Sequence, residues 1–167
     1  TARNALRIYS DAGNSNTFNS IEAYASRGSI VTPTINAADD SLFGYIHHGY
    51  DGTQYVQSSY IVAGIDSQAS VGVGAMPGNI LLGTTPDNGS TVNSVVINKD
   101  GNLGVNTLTP SKKLVVNGNA QVVNELLLGN MDQTAINALT GANGMIVYNT
   151  TSNKFQGYEN GAWANLI

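Results

Sequence analysis

The chain has 167 residues, of which 41% are hydrophobic and only 11% are charged, and its formal net charge is −4. An ordinary soluble domain has about 25% charged residues, and a nucleic-acid-binding surface needs clustered positive charge, so this composition argues against nucleic acid as a partner. Cysteine is absent, which excludes disulfides, thiolate metal sites and cysteine nucleophiles. The sequence has no run of about eighteen apolar residues, and we expect no membrane insertion. A chain that begins at Thr1 without a signal-peptide pattern is expected to be a fragment of a longer protein.

The first half of the chain is predicted to form short β-strands. Apolar and polar residues alternate over short segments that are separated by turns rich in Gly, Asn and Asp, which is the pattern of half-buried strands. Pro33 limits how far one of these segments can run as an interior strand. The predicted segments are 5–9, 21–25, 29–34, 42–48, 53–65 and 79–83.

The second half is predicted to contain further strands and a single short helix. The step from Asp100 to Gly101 favours a tight hairpin turn, because Gly tolerates a positive φ. Asp132 is a candidate N-cap for a helix of about two turns over 132–139, which would end before Gly141. The predicted strand segments in this half are 92–98, 103–105, 113–123, 144–149, 154–158 and 161–167.

These short strands favour an all-β fold in which several copies of the chain intertwine. Strand edges carry unpaired backbone donors and acceptors, and a chain with so few charges cannot protect its edges with Lys or Glu in the usual way. Three copies around a threefold axis would pair each edge with a neighbouring chain and bury small apolar residues at the axis. A monomeric β-sandwich or jelly roll would also bury the edges. We therefore predict an intertwined homotrimer and keep the monomeric sandwich as the alternative.

Several strings occur in an order that is more specific than any one of them alone. The sequence resembles a module of bacteriophage tail fibres and tail spikes, in which an RGT-like start, a GYDG turn, an MPG segment and a DGNxGIGT-x-x-P-x-x-KL-x-V-x-G ending follow one another. The matching positions are Arg27-Gly28, Gly49-Tyr50-Asp51-Gly52, Met76-Pro77-Gly78 and Asp100-Gly101-Asn102 through Gly118. This resemblance covers residues 26–120. The string GMIVYNTTSNKFQGYENGAWANL is similar to a terminal element of phage fibres and of some bacterial surface proteins, and that likeness covers residues 131–167.

The sequence departs from the tail-fibre pattern at two places. Family members often have an aromatic residue and an Arg just before GYDG, whereas this chain has His47 and His48 there. Residues 104–107 read GVNT where the family has GIGT. The role of the basic position before GYDG therefore cannot be transferred directly to this chain.

The resemblance implies a viral structural protein on the outside of a virion, a trimeric segment of a tail fibre. The fold expected from the strand pattern and the resemblance together is an intertwined homotrimer of the β-prism or triple-β-helix type, with at most one short helix near 132–140. The implied partners are two further copies of the chain, other virion tail proteins, and a host cell-surface glycan or protein. No cofactor, metal or enzymatic activity is implied. The alternatives are a tailspike with glycan-degrading activity and a bacterial surface adhesin module. The expected modules are shaft strands in 1–25, a β-rich fibre module in 26–105, linker strands in 106–130, and a short helix with a β-hairpin in 131–167.

The candidates for chemistry are two histidines and several carboxylates. His47 and His48 are the weak metal-ligand candidates, since a threefold axis could triplicate one imidazole. Adjacent residues of a strand point to opposite faces, so at most one of them would face the axis. Among the carboxylates, Asp39 and Asp40 form a pair of the kind that glycosidases use. Their turn-like surroundings favour capping of backbone N–H groups instead.

Aromatic residues are the better binding candidates. Exposed rings can stack on sugar faces while neighbouring polar groups hydrogen-bond the sugar hydroxyls. Tyr45, Tyr50, Tyr55 and Tyr60 follow one another at five-residue spacings. Near the end, packing within a small module is the favoured role of Tyr148 and Trp163. The predicted receptor-binding residues are His47, His48, Tyr50, Asp51, Tyr55, Tyr60, Tyr158 and Trp163.

Overall fold

The fold is that of a computed structural model of the chain, which describes residues 21–29, 31–87, 89–90 and 92–166. Over these residues the chain is mainly β, and the one helix, α1, spans Gln133–Asn137. The prediction of an all-β fold with at most one short helix near 132–140 is confirmed. The predicted intertwining of three copies concerns more than one chain and stays a prediction. Two compact units divide the chain, Thr1–Asn119 and Ala120–Ile167.

The described part of the first unit begins with a segment outside helices and strands, followed by a small hairpin. Strands β1 (Arg27–Gly28) and β2 (Pro33–Thr34) pair antiparallel. Of the described residues in the segment predicted at 29–34, only Pro33–Thr34 is in a strand, and β1 precedes that segment. Residues 21–26 form no strand, so the prediction of a strand at 21–25 is wrong. Alternating residues form a strand only beside a neighbouring strand, and this segment is exposed throughout. The strand predicted at 5–9 lies outside the described residues.

The main element of the first unit is a six-stranded sheet in the order β3-β4-β5-β6-β7-β8. Neighbouring strands are antiparallel from β3 to β7, whereas β7 and β8 are parallel and are joined by residues 106–113. The predicted turn at Asp100 and Gly101 joins β6 to β7, and Gly101 has the positive φ of 67° that such a turn needs. The strands are β3 (Ser41–Tyr50), β4 (Tyr55–Ile65), β5 (Gly78–Thr84), β6 (Val92–Ile97), β7 (Leu103–Val105) and β8 (Leu114–Val116).

One face of this sheet carries two uninterrupted rows of uncharged, mainly apolar side chains, and we call these two rows the apolar face. Residues directly opposite one another on neighbouring strands share a face, so the register identifies each row from β3 to β8. The first row is Tyr45, Ile61, Leu82, Val95, Val105 and Val116. The second row is Phe43, Ala63, Ile80, Ile97, Leu103 and Leu114.

The opposite face of the sheet is covered in part by the chain itself. A Cβ atom on Gly104 would collide with the carbonyl oxygen of Thr107, so the connection from β7 to β8 crosses the sheet on this side. Val96 lies opposite Gly104 in the register and is only 1% exposed. The ring of Tyr60 lies against Gly83 on the same face. Glycine at these two positions provides the space for the covering groups.

The second unit contains a four-stranded sheet in the order β12-β11-β10-β9, with α1 between β9 and β10. The Asp132 carboxylate accepts a hydrogen bond from the Ala135 N–H (2.8 Å), which confirms the predicted N-cap. Ile136 on the helix is fully buried. No helix in the described part of the chain is long and apolar enough to cross a membrane. The strands are β9 (Asn130–Met131), β10 (Ile146–Asn149), β11 (Lys154–Glu159) and β12 (Ala162–Asn165).

The segment between the two sheets is less regular than the sequence predicted. A strand was expected over 113–123, but β8 ends at Val116, and residues 117–129 lie outside helices and strands. Gly118, with a φ of 152°, follows the strand end, and the turn-prone run Asn117-Gly118-Asn119 accounts for the early termination.

Candidate functional site

The β3–β4 hairpin ends in a tight turn that is held by an aspartate. The carboxylate of Asp51 accepts hydrogen bonds from the backbone N–H groups of Thr53 (2.7 Å) and Gln54 (2.8 Å), and the Asp51 N–H donates to the carbonyl oxygen of Gln54 (3.0 Å). These backbone donors lower the pKa of Asp51, Gln54 contributing most. Gly52 adopts a φ of 102°, which side chains rarely allow. The string GYDG thus forms a rigid turn with an ionised carboxylate.

Two tyrosines flank this turn as an exposed pair. Tyr50 and Tyr55 are directly opposite one another in the register, and their ring centroids are 5.4 Å apart. Tyr50 is 61% exposed and Tyr55 is 75% exposed. The four-residue turn between them fixes their separation, because each ring is attached to the last pair of the ladder. Their rings therefore present a broad apolar surface to solvent beside polar turn groups.

The same face of the hairpin continues the aromatic surface away from the turn. Alternate residues of β3 share a face, and the register adds their partners on β4. A groove of about 240 Å³ lies along this face and is lined in part by Ile46, Gln57 and Tyr60. We call the set the tyrosine stripe; it consists of Ile46, His48 and Tyr50 on β3 with Tyr60, Gln57 and Tyr55 on β4.

The structure separates the two histidines, as their adjacency in a strand predicted. His48 belongs to the tyrosine stripe, whereas His47 is on the other face, where its Nδ1 lies 3.1 Å from the hydroxyl oxygen of Ser59. A β-bulge between His47 and His48 adds Ser58 to β4, and the Ser58 hydroxyl donates to the His47 carbonyl oxygen (3.3 Å). Among the described residues, no group of three or more His, Asp or Glu side chains is arranged to hold a metal ion.

Tyr60 lies at the inner end of the stripe and has a packing role as well. Its ring covers Gly83 of β5, and burial raises the pKa of its hydroxyl. The structure thus brings His48, Tyr50, Asp51, Tyr55 and Tyr60 together on one hairpin. Gln57 is a member of this surface that the sequence analysis missed, because its position opposite His48 depends on the bulge.

The candidate carboxylates outside the hairpin turn have structural partners. The carboxylate of Asp40 forms two hydrogen bonds with the Arg27 guanidinium, each 2.8 Å long, and accepts a third from the Ala37 N–H (2.9 Å). Asp39 lies in the preceding turn with a φ of 69°. Buried Asp66 accepts hydrogen bonds from the backbone N–H groups of Gln68 (2.8 Å) and Lys99 (3.0 Å). The capping role predicted for the Asp39–Asp40 pair is confirmed for Asp40, and Asp66 accepts backbone N–H hydrogen bonds in the same way.

The aromatic residues of the second unit form two packed pairs. Tyr158 and Trp163 are register partners with ring centroids 5.2 Å apart, and Tyr148 and Phe155 are 5.1 Å apart. The Tyr158 hydroxyl donates to the carbonyl oxygen of Gly161 (2.9 Å). Because its ring also contacts Gly141 closely, most of this side chain is engaged within the unit.

A buried polar network in the second unit was missed by the sequence analysis. The amide nitrogen of Asn149 donates to the side-chain oxygens of Gln133 (2.7 Å) and Gln156 (3.1 Å). The Asn149 oxygen accepts from the Thr151 N–H (2.9 Å), and Gln156 donates to Asn165 (3.0 Å). The sequence could not reveal this network, because polar residues in a short strand give the same pattern whether they are buried in a network or exposed to solvent.

No protein family model matches the chain, and no curated protein shows a significant match to it. The sequence motifs and the geometry of the hairpin are therefore the basis for assigning a function.

Proposed function

We propose that this chain is a viral structural protein, a homotrimeric segment of a phage tail fibre that attaches the virion to a glycan on the bacterial surface. The ordered motifs of residues 26–120 support the assignment to a fibre, as does an all-β chain with few charges. The observation that carries the binding function is the exposed Tyr50–Tyr55 pair beside the Asp51 turn. The GYDG string thus has a physical role at the hairpin end.

The tyrosine stripe has the chemistry that sugar recognition requires. The rings of Tyr50 and Tyr55 offer apolar surface on which the C–H face of a sugar ring can stack. His48 and Gln57, which are opposite one another next to this pair, supply hydrogen-bond donors and acceptors for hydroxyl groups. Asp51 adds an ionised acceptor, and the backbone N–H groups that lower its pKa further stabilise this charged form.

The first prediction concerns the paired tyrosines. Replacing both residues, Tyr50→Ala with Tyr55→Ala, should weaken binding to immobilised lipopolysaccharide or capsular polysaccharide by about tenfold or more, because two stacking surfaces are lost. Binding is measured by surface plasmon resonance on a panel of such polysaccharides. Tyr24→Ala is the matched control, since Tyr24 is an exposed tyrosine outside the stripe. Unchanged binding by the double variant would contradict the proposed site.

Two alternatives give different results in related experiments. A glycan-degrading tailspike would shorten the purified polysaccharide, which size-exclusion chromatography of the sugar after incubation would detect. A bacterial surface adhesin module would be encoded among bacterial surface genes, whereas a tail-fibre segment would have phage genes beside it. Shortened polysaccharide or a bacterial gene neighbourhood would each replace the fibre proposal.

A further inference from the structure

The apolar face of the six-stranded sheet is uncharged and largely exposed. Neither of its rows contains a charged side chain, and most of its large residues are between 36% and 60% exposed. None of the described residues covers it in the way that the β7–β8 connection covers the opposite face. A β-sheet with an apolar side is normally packed against a second layer. The described part of the chain does not supply that layer.

The exposed area of this face is comparable with the area that one partner contributes to a protein interface. If a large apolar side chain exposes roughly 150–200 Å² in full, the fractional exposures of its eight most exposed residues amount to about 600 Å². The half-exposed valines of the first row add to this value. Standard interfaces bury about 800 Å² on each partner, whereas the largest apolar patch of a typical monomer is about 300–600 Å² and is often functional. With these valines, the apolar face reaches the lower end of the area that each partner buries in a standard interface, about 600–1,000 Å².

A second copy of the same chain is the occupant that fits this face best. The chain has a net charge of −4, so two copies meeting through charged surfaces would repel one another. The apolar face avoids this repulsion, because it contributes only uncharged side chains from both partners. Sheets that pack face to face lie about 10 Å apart and interdigitate their apolar side chains. Identical rows can pack in this way without burying a charge, and Tyr45, whose hydroxyl is the polar group of the first row, is at the end of that row on the edge strand β3.

We infer that the apolar face is the surface through which copies of this chain associate, three sheets packing their apolar faces together around a common axis. The number of copies rests on the proposed function, whereas the identity of the face rests on its register and exposure. In this arrangement the tyrosine stripe is on the outer face of each sheet, because it is on the opposite side from the two rows. Association and glycan binding thus use different faces of the same sheet.

The test measures the mass of the assembly in solution and compares two variants, each of which places one charge on a different side of the sheet. Light scattering should give about three times the mass of the 17.4 kDa chain. Leu82→Glu places a charge in the middle of the first row and should weaken association by about a hundredfold or more, since an unpaired charge would be buried. Leu108→Glu is the matched control: Leu108 lies in the β7–β8 connection and is 47% exposed, against 37% for Leu82. The control should remain trimeric.

Cysteine labelling keeps the test decisive if the glutamate variant fails to fold. The chain has no cysteine, so a single Leu82→Cys or Leu108→Cys substitution introduces the only thiol. In the assembled protein a maleimide should react with the cysteine at 82 at least about tenfold more slowly than with the one at 108, because only the former is buried by partner copies. Equal labelling rates, a monomeric wild-type chain, a stable dimer or a trimeric Leu82→Glu variant would each overturn the inference.

The outcomes separate this inference from the proposed function. A trimer that dissociates with Leu82→Glu but binds no bacterial polysaccharide would leave the interface standing and remove the attachment function. Polysaccharide binding by a chain whose Leu82→Glu variant stays trimeric would overturn the interface alone.

Discussion

At the scale of single residues, the fully buried side chain of Asn149 is the centre of a polar network in the second unit. It donates to Gln133 on α1 and to Gln156 on β11, and it accepts from the turn after β10. One amide thus links the helix, the central strands and the turn. A buried network of this kind stabilises a fold only while all of its members are satisfied.

Replacing Asn149 should therefore destabilise the second unit. Asn149→Leu removes both donors and leaves the side-chain oxygens of Gln133 and Gln156 without this partner, which should lower the free energy of unfolding by about 2–4 kcal/mol. Unfolding in urea can be followed by the fluorescence of Trp163, because it is the only tryptophan and lies in this unit. Asn143→Leu, at an exposed position in the turn before β10, is the control and should change the free energy by less than about 1 kcal/mol. Equal effects of the two substitutions would contradict the role of the network.

At the scale of secondary-structure elements, an ion pair links the β1–β2 hairpin to the start of the main sheet. Arg27 belongs to β1, and Asp40 directly precedes β3. The Arg27 hydrogen bonds, followed by the Ala37 N–H, lower the pKa of Asp40 from 3.8 to about 2. Because the folded-state pKa is below the unfolded-state value, the link stabilises the hairpin fully above about pH 4 and is lost as the pH falls towards 2.

This link predicts a local response to acid. In a carboxyl NMR titration Asp40 should titrate near pH 2, and Arg27→Ala should return its pKa towards 3.8, with the Ala37 N–H retaining part of the effect. The protection factors of the β1–β2 hairpin amides, which correct for the intrinsic pH dependence of exchange, should fall below pH 4 in the wild-type chain and be low at all pH values in the variant. Lys99→Ala, which removes the other ion pair among the described residues, should leave the Asp40 titration unchanged. A wild-type pKa near 3.8 would show that the pair does not form.

The elements also indicate how far the sequence determines this fold. Long alternating segments and strong turn residues predicted β3, β4, β5 and the β6–β7 hairpin closely, because both signals act locally. The parallel pairing of β8 with β7 could not be predicted, since it depends on a connection that packs over Gly104. Pairing also explains why the strand predicted at 21–25 is wrong: these residues alternate between apolar and polar, but no neighbouring strand among the described residues pairs with them.

The candidate site was predicted only in part, because some of its residues are close in sequence whereas others are brought together by strand pairing. Tyr50, Asp51 and Tyr55 lie in one short turn motif, so sequence proximity brought them together. The stripe as a surface required the register of β3 with β4, including the bulge that aligns Gln57 with His48. The apolar face required the register of all the strands from β3 to β8, because each strand contributes only one residue to each row.

At the scale of the whole molecule, the two proposals together predict how affinity depends on assembly. A trimer presents three tyrosine stripes, so binding to a surface that displays many glycans benefits from effective concentration, which typically raises avidity by about 10²–10⁴. A soluble oligosaccharide fragment engages one stripe at a time and gains nothing from the other two. Affinity for a dense glycan surface should therefore depend on the trimer, whereas affinity for the soluble fragment should not.

The Leu82→Glu variant tests this dependence, because the substitution lies on the apolar face and the stripe lies on the opposite side of the sheet. By titration calorimetry, its affinity for a soluble fragment of the recognised polysaccharide should equal that of the wild-type chain within about twofold. On a dense polysaccharide surface it should bind at least about a hundredfold more weakly, since only single contacts remain. Leu108→Glu should match the wild-type chain in both measurements. If the monomeric variant instead loses affinity for the soluble fragment as well, the glycan must contact residues from two copies, and the single-chain stripe would not be the complete site.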